Sequence, residues 1–351
     1  MKNLIIPMAG KSSRFPNMRP KWLLTHPRNN NYMCTESILG MNYNYFDKIY
    51  FVTLKKFEKD YAFMKGFKEN LKKLNIHKKT KVVLLNKETS SQPETVYLTI
   101  IKEKLKGSLF IKDSDGYFEC KIKDNKNYVT YANLSDVGNI DATSKSYIVK
   151  DRFQKIANIV EKRVVSEFFS VGGYSFNCCN DFKKYYKIVS KTPGEFYISD
   201  IIYAMILDNH DFYGLESKNF KDWGTIKSWD NYKSNYKTIF CDLDGVLVEN
   251  ASVLMKPYIG ESKPIADNIQ TINELYNSST KYIVITTSRP ETARKKTVVE
   301  LKQKKIKYHQ LIMGLPHAKR LLVNDFSETN SFPTAEAINI YRNSSDLRKL
   351  I

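Results

Sequence analysis

Two stretches of the chain hold residues whose types and spacing can do chemistry. In "TIFCDLDGVLVEN" (238–250) an apolar run ends in Asp242 and Asp244, followed by Gly245. Strand residues i and i+2 point the same way, so both carboxylates project together past the strand's carboxyl end. Two anions that close repel each other unless a cation sits between them, which points to a Mg2+ site. In "IIPMAGKSSRFPNMRPKWLL" (5–24) a loop with Gly10, Ser12 and Ser13 follows another apolar run. Such a loop brings backbone N–H groups close to a polyphosphate, and Arg14 and Lys21 supply positive charge to neutralise it.

Positioning both sites requires strands that end at them. Strands are expected over 3–9, 48–54, 80–86, 108–114, 146–150 and 168–176, with helical stretches at 93–106 and 199–209. The alternation predicts an α/β domain with a mainly parallel sheet. A second series follows: strand 237–243, helix 264–279, strand 281–288, helix 290–305 and strand 320–325, closed by 334–340. The polar "SWDNYKSNYK" (228–237) reads as a linker, so two domains are expected, 1–235 and 236–351.

Composition narrows the function classes. No run of 18 apolar residues occurs, so no membrane span is expected. The five cysteines (Cys34, Cys120, Cys178, Cys179, Cys241) show no metal-ligand spacing, which fits a reducing, cytoplasmic setting. The net charge of +19 favours anionic partners. Its lysines are scattered along polar helix faces and no nucleic-acid-binding signature accompanies them, so phosphorylated small molecules are the expected partners.

The N-terminal string Gly10-Lys11-Ser12-Ser13-Arg14, then Pro20-Lys21, resembles the signature of sugar-phosphate nucleotidyltransferases. Ser12 stands where that family has a second glycine. The resemblance implies a Rossmann-like mixed sheet and a loop, Ala9 and Gly10 included, that grips nucleotide phosphates. Arg14 and Lys21 would stabilise the departing pyrophosphate. It continues in order along the chain. "SSQPETVY" (90–97) resembles the base-contacting segment that opens a helix, with Gln92 and Glu94. "LFIKDSDGYF" (109–118) resembles the strand end that carries a magnesium ligand, Asp113 or Asp115. "IVEKRVVSEFFSVGGYSF" (159–176) resembles the sugar-phosphate segment, with Glu161, Lys162 and Gly173. In "GEFYISDII" (194–202) Glu195 would hold sugar hydroxyls, and in "KDWGTIKSW" (221–229) Asp222 would be the second metal ligand.

"CDLDGVLV" resembles the first motif of the haloacid-dehalogenase superfamily, which implies a smaller Rossmann-like second domain. By that resemblance Asp242 is the phosphorus-attacking nucleophile and Asp244 the acid/base, both also metal ligands. Thr287 in "YIVITTSRP" supplies the second motif and Asp325 in "LLVNDF" the last metal ligand. Leu315 in "MGLPHAKR" takes the place of the expected lysine, for which Lys319 or Arg320 can substitute. About twenty residues separate Asp244 from Pro264, too few for a large cap domain.

Together these readings predict a bifunctional Mg2+ enzyme of activated-sugar synthesis, taking an NTP and a phosphorylated sugar-like acceptor and hydrolysing a phosphate monoester. The alternatives are a transferase with an inactive phosphate-binding second domain, a nucleic-acid end-processing phosphatase, and a nucleotide-sugar sensor without turnover. The base, the acceptor and the oligomeric state leave no trace in the sequence.

Overall fold

The computed structural model describes residues 1–10, 12–138, 141–192, 194–325 and 334–351. The chain divides into two compact units, Met1–Trp229 and Asp230–Ile351. The division falls inside helix Ile226–Ser234, so the stretch expected as a linker is largely helical.

In the first unit the strands are β1 (Lys2–Pro7), β2 (Lys48–Leu54), β3 (Thr80–Leu85), β4 (Ser108–Lys112), β5 (Gly116–Glu119), β6 (Tyr128–Asn133), β7 (Ser146–Lys150), β8 (Ile156–Glu161), β9 (Phe168–Phe176), β10 (Tyr213–Glu216) and β11 (Lys218–Asp222). Nine of them form one sheet whose main path is β10-β6-β9-β4-β1-β2-β3, with β7 joining β8 to β9. The sheet is mixed rather than mainly parallel. β1, β2, β3 and β4 pair in parallel, whereas β9 runs antiparallel to β4, β6 and β7. Continuous apolar strands arise because both faces of the parallel half are covered. Leu4, Ile5 and Ile6 of β1 and Ile49, Phe51 and Val52 of β2 have no more than trace exposure.

The topology sets the site. β1 and β4 are parallel neighbours, so the loop after β1 and the turn after β4 open on one edge of the sheet. A separate two-stranded ribbon, β5 with β11, places Asp222 opposite Gly116, and Trp223 N–H donates to the Asp115 carbonyl at 2.9 Å. That pairing brings a residue from more than a hundred positions away against the turn after β4.

The second unit holds a parallel sheet in the order β12 (Lys237–Asp242), β13 (Lys281–Thr286), β14 (Gln310–Ile312). Helices Ala266–Asn277 and Arg294–Gln303 make the crossovers that parallel strands need. Leu243, Leu247, Ile272, Ile283, Ile285 and Leu301 fill its core. The strand expected over 320–325 is not formed. Those residues are irregular and exposed, as are 334–340 apart from half-buried Ile340. An apolar run such as Leu321–Leu322–Val323 becomes a strand only when a neighbour takes its backbone hydrogen bonds, and among the described residues no ladder includes it.

Candidate functional site

At the edge where β1 and β4 end, charged side chains gather around one small recess. Gly224 marks it. A Cβ built there would lie 3.1 Å from Asp222 Oδ1, 3.3 Å from Asp115 Oδ2 and 3.5 Å from an Arg14 guanidinium nitrogen. Lys21 pairs with Asp115, and Arg14 approaches the same oxygen at 3.8 Å. Lys145 Nζ pairs with Asp222 Oδ2 at 2.6 Å, while Asp222 Oδ1 accepts the Gly224 N–H at 2.9 Å. Four sequence-designated residues, Arg14, Lys21, Asp115 and Asp222, therefore meet. Burial pushes the Asp115 carboxyl up, but Lys21, Arg14 and Lys145 outweigh it and hold the group well below the usual carboxylate range.

Asp113 faces a different environment. Its side chain accepts from Gln92 Nε2 at 2.5 Å and lies against Gly172, whose φ is +83°. Burial first, then the neighbouring Asp115, push its carboxyl up to about 6, against the pull of Lys112 and Gln92. Beneath the turn sits Lys112, a lysine with no measurable exposure. Its ammonium donates to the Asp113 and Gly116 carbonyls, each at 2.7 Å, and lies 4.6 Å from the Phe118 ring centre. The turn that presents Asp115 is thus tied from below by a buried cation. Burial drives that lysine down to about 8.

The loop after β1 leaves Gly10, Ser13 and Arg14 exposed; Ala9 is buried, and Lys11 lies outside the described residues. Ser12 adopts φ +51°, the left-handed conformation in which a glycine is least strained. The backbone at this position thus needs what glycine offers, although the residue is serine.

A second group lies along β8 and the helix Ile198–Leu207. Glu161 accepts from Ser146 Oγ and, at 2.7 Å, from Ser199 Oγ. Lys162 donates to the Tyr197 hydroxyl, which donates to Glu195 at 2.5 Å, so Lys162 and Glu195 share one exposed chain of hydrogen bonds. Gly173 admits close packing instead, its carbonyl accepting from Thr130 Oγ1 at 2.9 Å. Ser91 caps the helix Gln92–Lys102 by accepting the Glu94 N–H at 3.3 Å, and the Glu94 carboxylate accepts from Ser90 N–H at 2.5 Å and Ser90 Oγ at 2.7 Å.

In the second unit, Asp242 ends β12 and Asp244 follows in a tight turn. Asp242 keeps a partly exposed carboxylate with Arg320 at 3.4 Å. Burial raises its pKa and Asp244 adds to that, while Arg320 opposes it. Asp244 is held on both oxygens. Arg289 Nε donates to Oδ1 at 3.1 Å and Oδ2 at 3.0 Å, its NH2 to Oδ1 at 2.7 Å, and Thr287 Oγ1 to Oδ2 at 2.9 Å. Arg289 is buried and also pairs with buried Glu300 at 2.5 Å. Lys319 and Asp325 are exposed. The only described interaction of Asp325 uses its carbonyl, which accepts from Thr334.

Sequence reasoning missed Lys112, Lys145 and Arg289. Arg289 sits in the quoted "TTSRP", two positions past Thr287, where a cation could have been sought. Lys112 ends an otherwise apolar strand, an unusual place for a lysine. Lys145 carries no such signal.

Among the described residues no three of His, Cys, Asp and Glu gather as a metal-binding group. At the Gly224 recess, Asp115 and Asp222 are the carboxylates that would hold a hard divalent cation, and such a cation would offset charge on bound phosphates.

No family model and no curated protein matches the chain. Solved structures do. A nucleoside-diphosphate-sugar pyrophosphorylase from Vibrio cholerae is 19% identical with a TM-score of 0.55, over 65% of this chain and 98% of that one. The inositol-1-phosphate CTP transferase from T. maritima is 13% identical (TM-score 0.51, 65% and 91% covered). A UDP-glucose pyrophosphorylase complexed with UDP-glucose is 16% identical (TM-score 0.51, 67% and 99% covered). The fold of about two thirds of the chain is therefore that of sugar nucleotidyltransferases. The first unit makes up the same share of the length. Among the described residues no helix is long and apolar enough to cross a membrane.

Proposed function

We propose that the first unit transfers a nucleotidyl group from an NTP to a phosphorylated sugar or similar acceptor, releasing pyrophosphate. The observation that carries this reading is the convergence of Asp115, Asp222, Arg14 and Lys21 on one recess at the sheet edge where β1 and β4 end. Loop residues Gly10, Ser12 and Ser13 would cradle the triphosphate, with Arg14 and Lys21 neutralising charge on the departing pyrophosphate. Lys162 and Glu195, linked through Tyr197, would orient the acceptor. Mg2+, when bound between Asp115 and Asp222, would offset charge on the phosphates. In-line phosphoryl chemistry asks little covalent work of the protein, so positioning and electrostatics are the tasks of these residues. The test is pyrophosphate release over a matrix of NTPs and sugar 1-phosphates with Mg2+. Turnover by at least one pair, lost at least a hundredfold in Asp222→Ala, is expected. Absence of turnover for every pair, or full activity in the variant, refutes the assignment.

For the second unit we propose a phosphate-monoester site centred on Asp242, with Arg320 as its cation and the nucleophile role assigned to Asp242. A second reading, phosphate binding without turnover, is favoured by one observation: Arg289 and Thr287 hold both oxygens of Asp244, the candidate acid/base. Phosphate release from sugar phosphates, compared between the natural chain and Asp242→Asn, separates the two. Release that the substitution abolishes supports hydrolysis; binding without release selects the second reading.

A further inference from the structure

Each carboxylate at the Gly224 recess already holds a lysine. Asp115 has Lys21, a residue the phosphate loop explains. Asp222 has Lys145, which no part of the proposed reaction yet uses. The Lys145 pair is well shielded, with side chains only 16% and 17% exposed. Asp222 has its other oxygen on the Gly224 N–H. A cation entering the recess therefore meets one Asp222 oxygen committed to backbone and the other to an ammonium group.

The backbone of Lys145 gives the second half of the argument. It immediately precedes β7, and its carbonyl accepts the Lys162 N–H at 2.9 Å. Two lysines thus leave adjacent backbone positions in different directions. Lys162 reaches Tyr197 and the acceptor group; Lys145 reaches Asp222 and the recess. Lys145 thus lies between the residues proposed for the nucleotide phosphates and those proposed for the acceptor, where an acceptor's attacking phosphate oxygen would come.

We infer that Lys145 is a placeholder cation: it pairs with Asp222, yields that carboxylate to a divalent ion, and then engages the acceptor's phosphate. The inference rests on the nucleotidyl-transfer reading for its second step only. Displacement of Lys145 by the metal needs no substrate and stands on the geometry of the recess.

The test uses the full chain and Mn2+ as the probe, with free Mn2+ followed by electron paramagnetic resonance in the absence of nucleotide. Removing a competing charge from Asp222 should tighten Mn2+ binding in Lys145→Met about tenfold, roughly the weight of one charge-assisted hydrogen bond. A merely structural partner of Asp222 would give the opposite sign, because the carboxylate would lose its orientation. Unchanged or weaker binding in a folded variant overturns the placeholder role. Lys145→Gln provides a second variant should Lys145→Met unfold, and thermal unfolding of each reports folding. In turnover, Lys145→Met should raise the acceptor KM about tenfold or more while the NTP KM moves less than about threefold, and Lys145→Arg should restore part of the acceptor affinity. An unchanged acceptor KM overturns the second step. If the natural chain turns over no NTP–acceptor pair, the transfer reading and the second step fall together, and the Mn2+ arm still decides the first.

Discussion

Gly172→Ala offers a direct test of how the first site is held. Gly172 lies in β9 with φ +83°, a region that a side chain enters at a penalty of ~1–2 kcal/mol. An added Cβ would also sit 2.6 Å from Asp113 Cγ and 2.8 Å from Asp113 Cβ, and closer still to Oδ2. Real carbon atoms do not approach so closely, so Asp113 must move, and overpacking of this kind costs ~1–3 kcal/mol. The two effects sum to ~2–5 kcal/mol of lost stability, a large share of what an ordinary domain has. Urea unfolding followed by tryptophan fluorescence is the assay. All three tryptophans, Trp22, Trp223 and Trp229, belong to the first unit, Trp229 as its last residue, so the signal reports chiefly that unit. The double variant Gly172→Ala/Asp113→Ala identifies the mechanism. Removing the Asp113 carboxylate relieves the contacts to Cγ and Oδ2 but leaves the 2.8 Å contact to Cβ and the backbone strain, so the cycle should show a coupling of ~1–2 kcal/mol, part of the overpacking cost. Strict additivity would refute the packing of Asp113 on Gly172, and with it the account of what fixes that carboxylate beside Gln92.

Two further outcomes follow from buried charges. Asp113, raised from 3.8 to about 6, is favoured in the fold in its protonated form, so it lowers stability as pH rises through the interval from 3.8 to 6. The full interval is worth at most ~3 kcal/mol, and the partly exposed edge of the carboxylate reduces it to ~1–2 kcal/mol. The stability difference between Asp113→Asn and the natural chain should therefore grow by that amount in favour of the variant between pH 4 and 7, while Lys112 stays charged. A flat difference contradicts the raised pKa. In the second unit, Arg289→Met leaves buried Glu300 with Lys304 as its remaining cation and frees Asp244, and should cost up to ~3–5 kcal/mol. Hydrogen exchange of the β13 amides reads that unit; a loss under ~1 kcal/mol would mean that Arg289 is not the tie between Asp244 and the core. Restoring neutrality with Arg289→Met/Glu300→Leu should recover part of the loss, because two apolar groups need no partner.

"KIYFVTL" is legible as a strand because every side chain after Lys48 is buried, and its observed bounds, Lys48–Leu54, coincide with the expected ones. β5 and β11 were not legible. "GYFE" and "KNFKD" are only four and five residues long, and their pairing depends on residues far away in sequence. Yet that ribbon is what sets Asp222 against the Asp115 turn. The reverse holds at 320–325, where an apolar run looks like a strand but pairs with no strand among the described residues.

By itself the sequence determined which residue types are available at each strand end, and in what order: the Gly-Ser loop with Arg14 and Lys21, the aspartates after β4, and the Asp242–Asp244 pair. Local physics suffices for that, since apolar runs define strands and the residues that follow them are presented at the sheet edge. Only the tertiary structure decided how the carboxylates divide. Asp115 joins Asp222 across Gly224, Asp113 turns to Gln92, Lys145 occupies Asp222, and Arg289 holds Asp244. Those outcomes depend on which charged groups a folded backbone brings within a few ångströms of one another, and spacing along the chain carries no information about that distance.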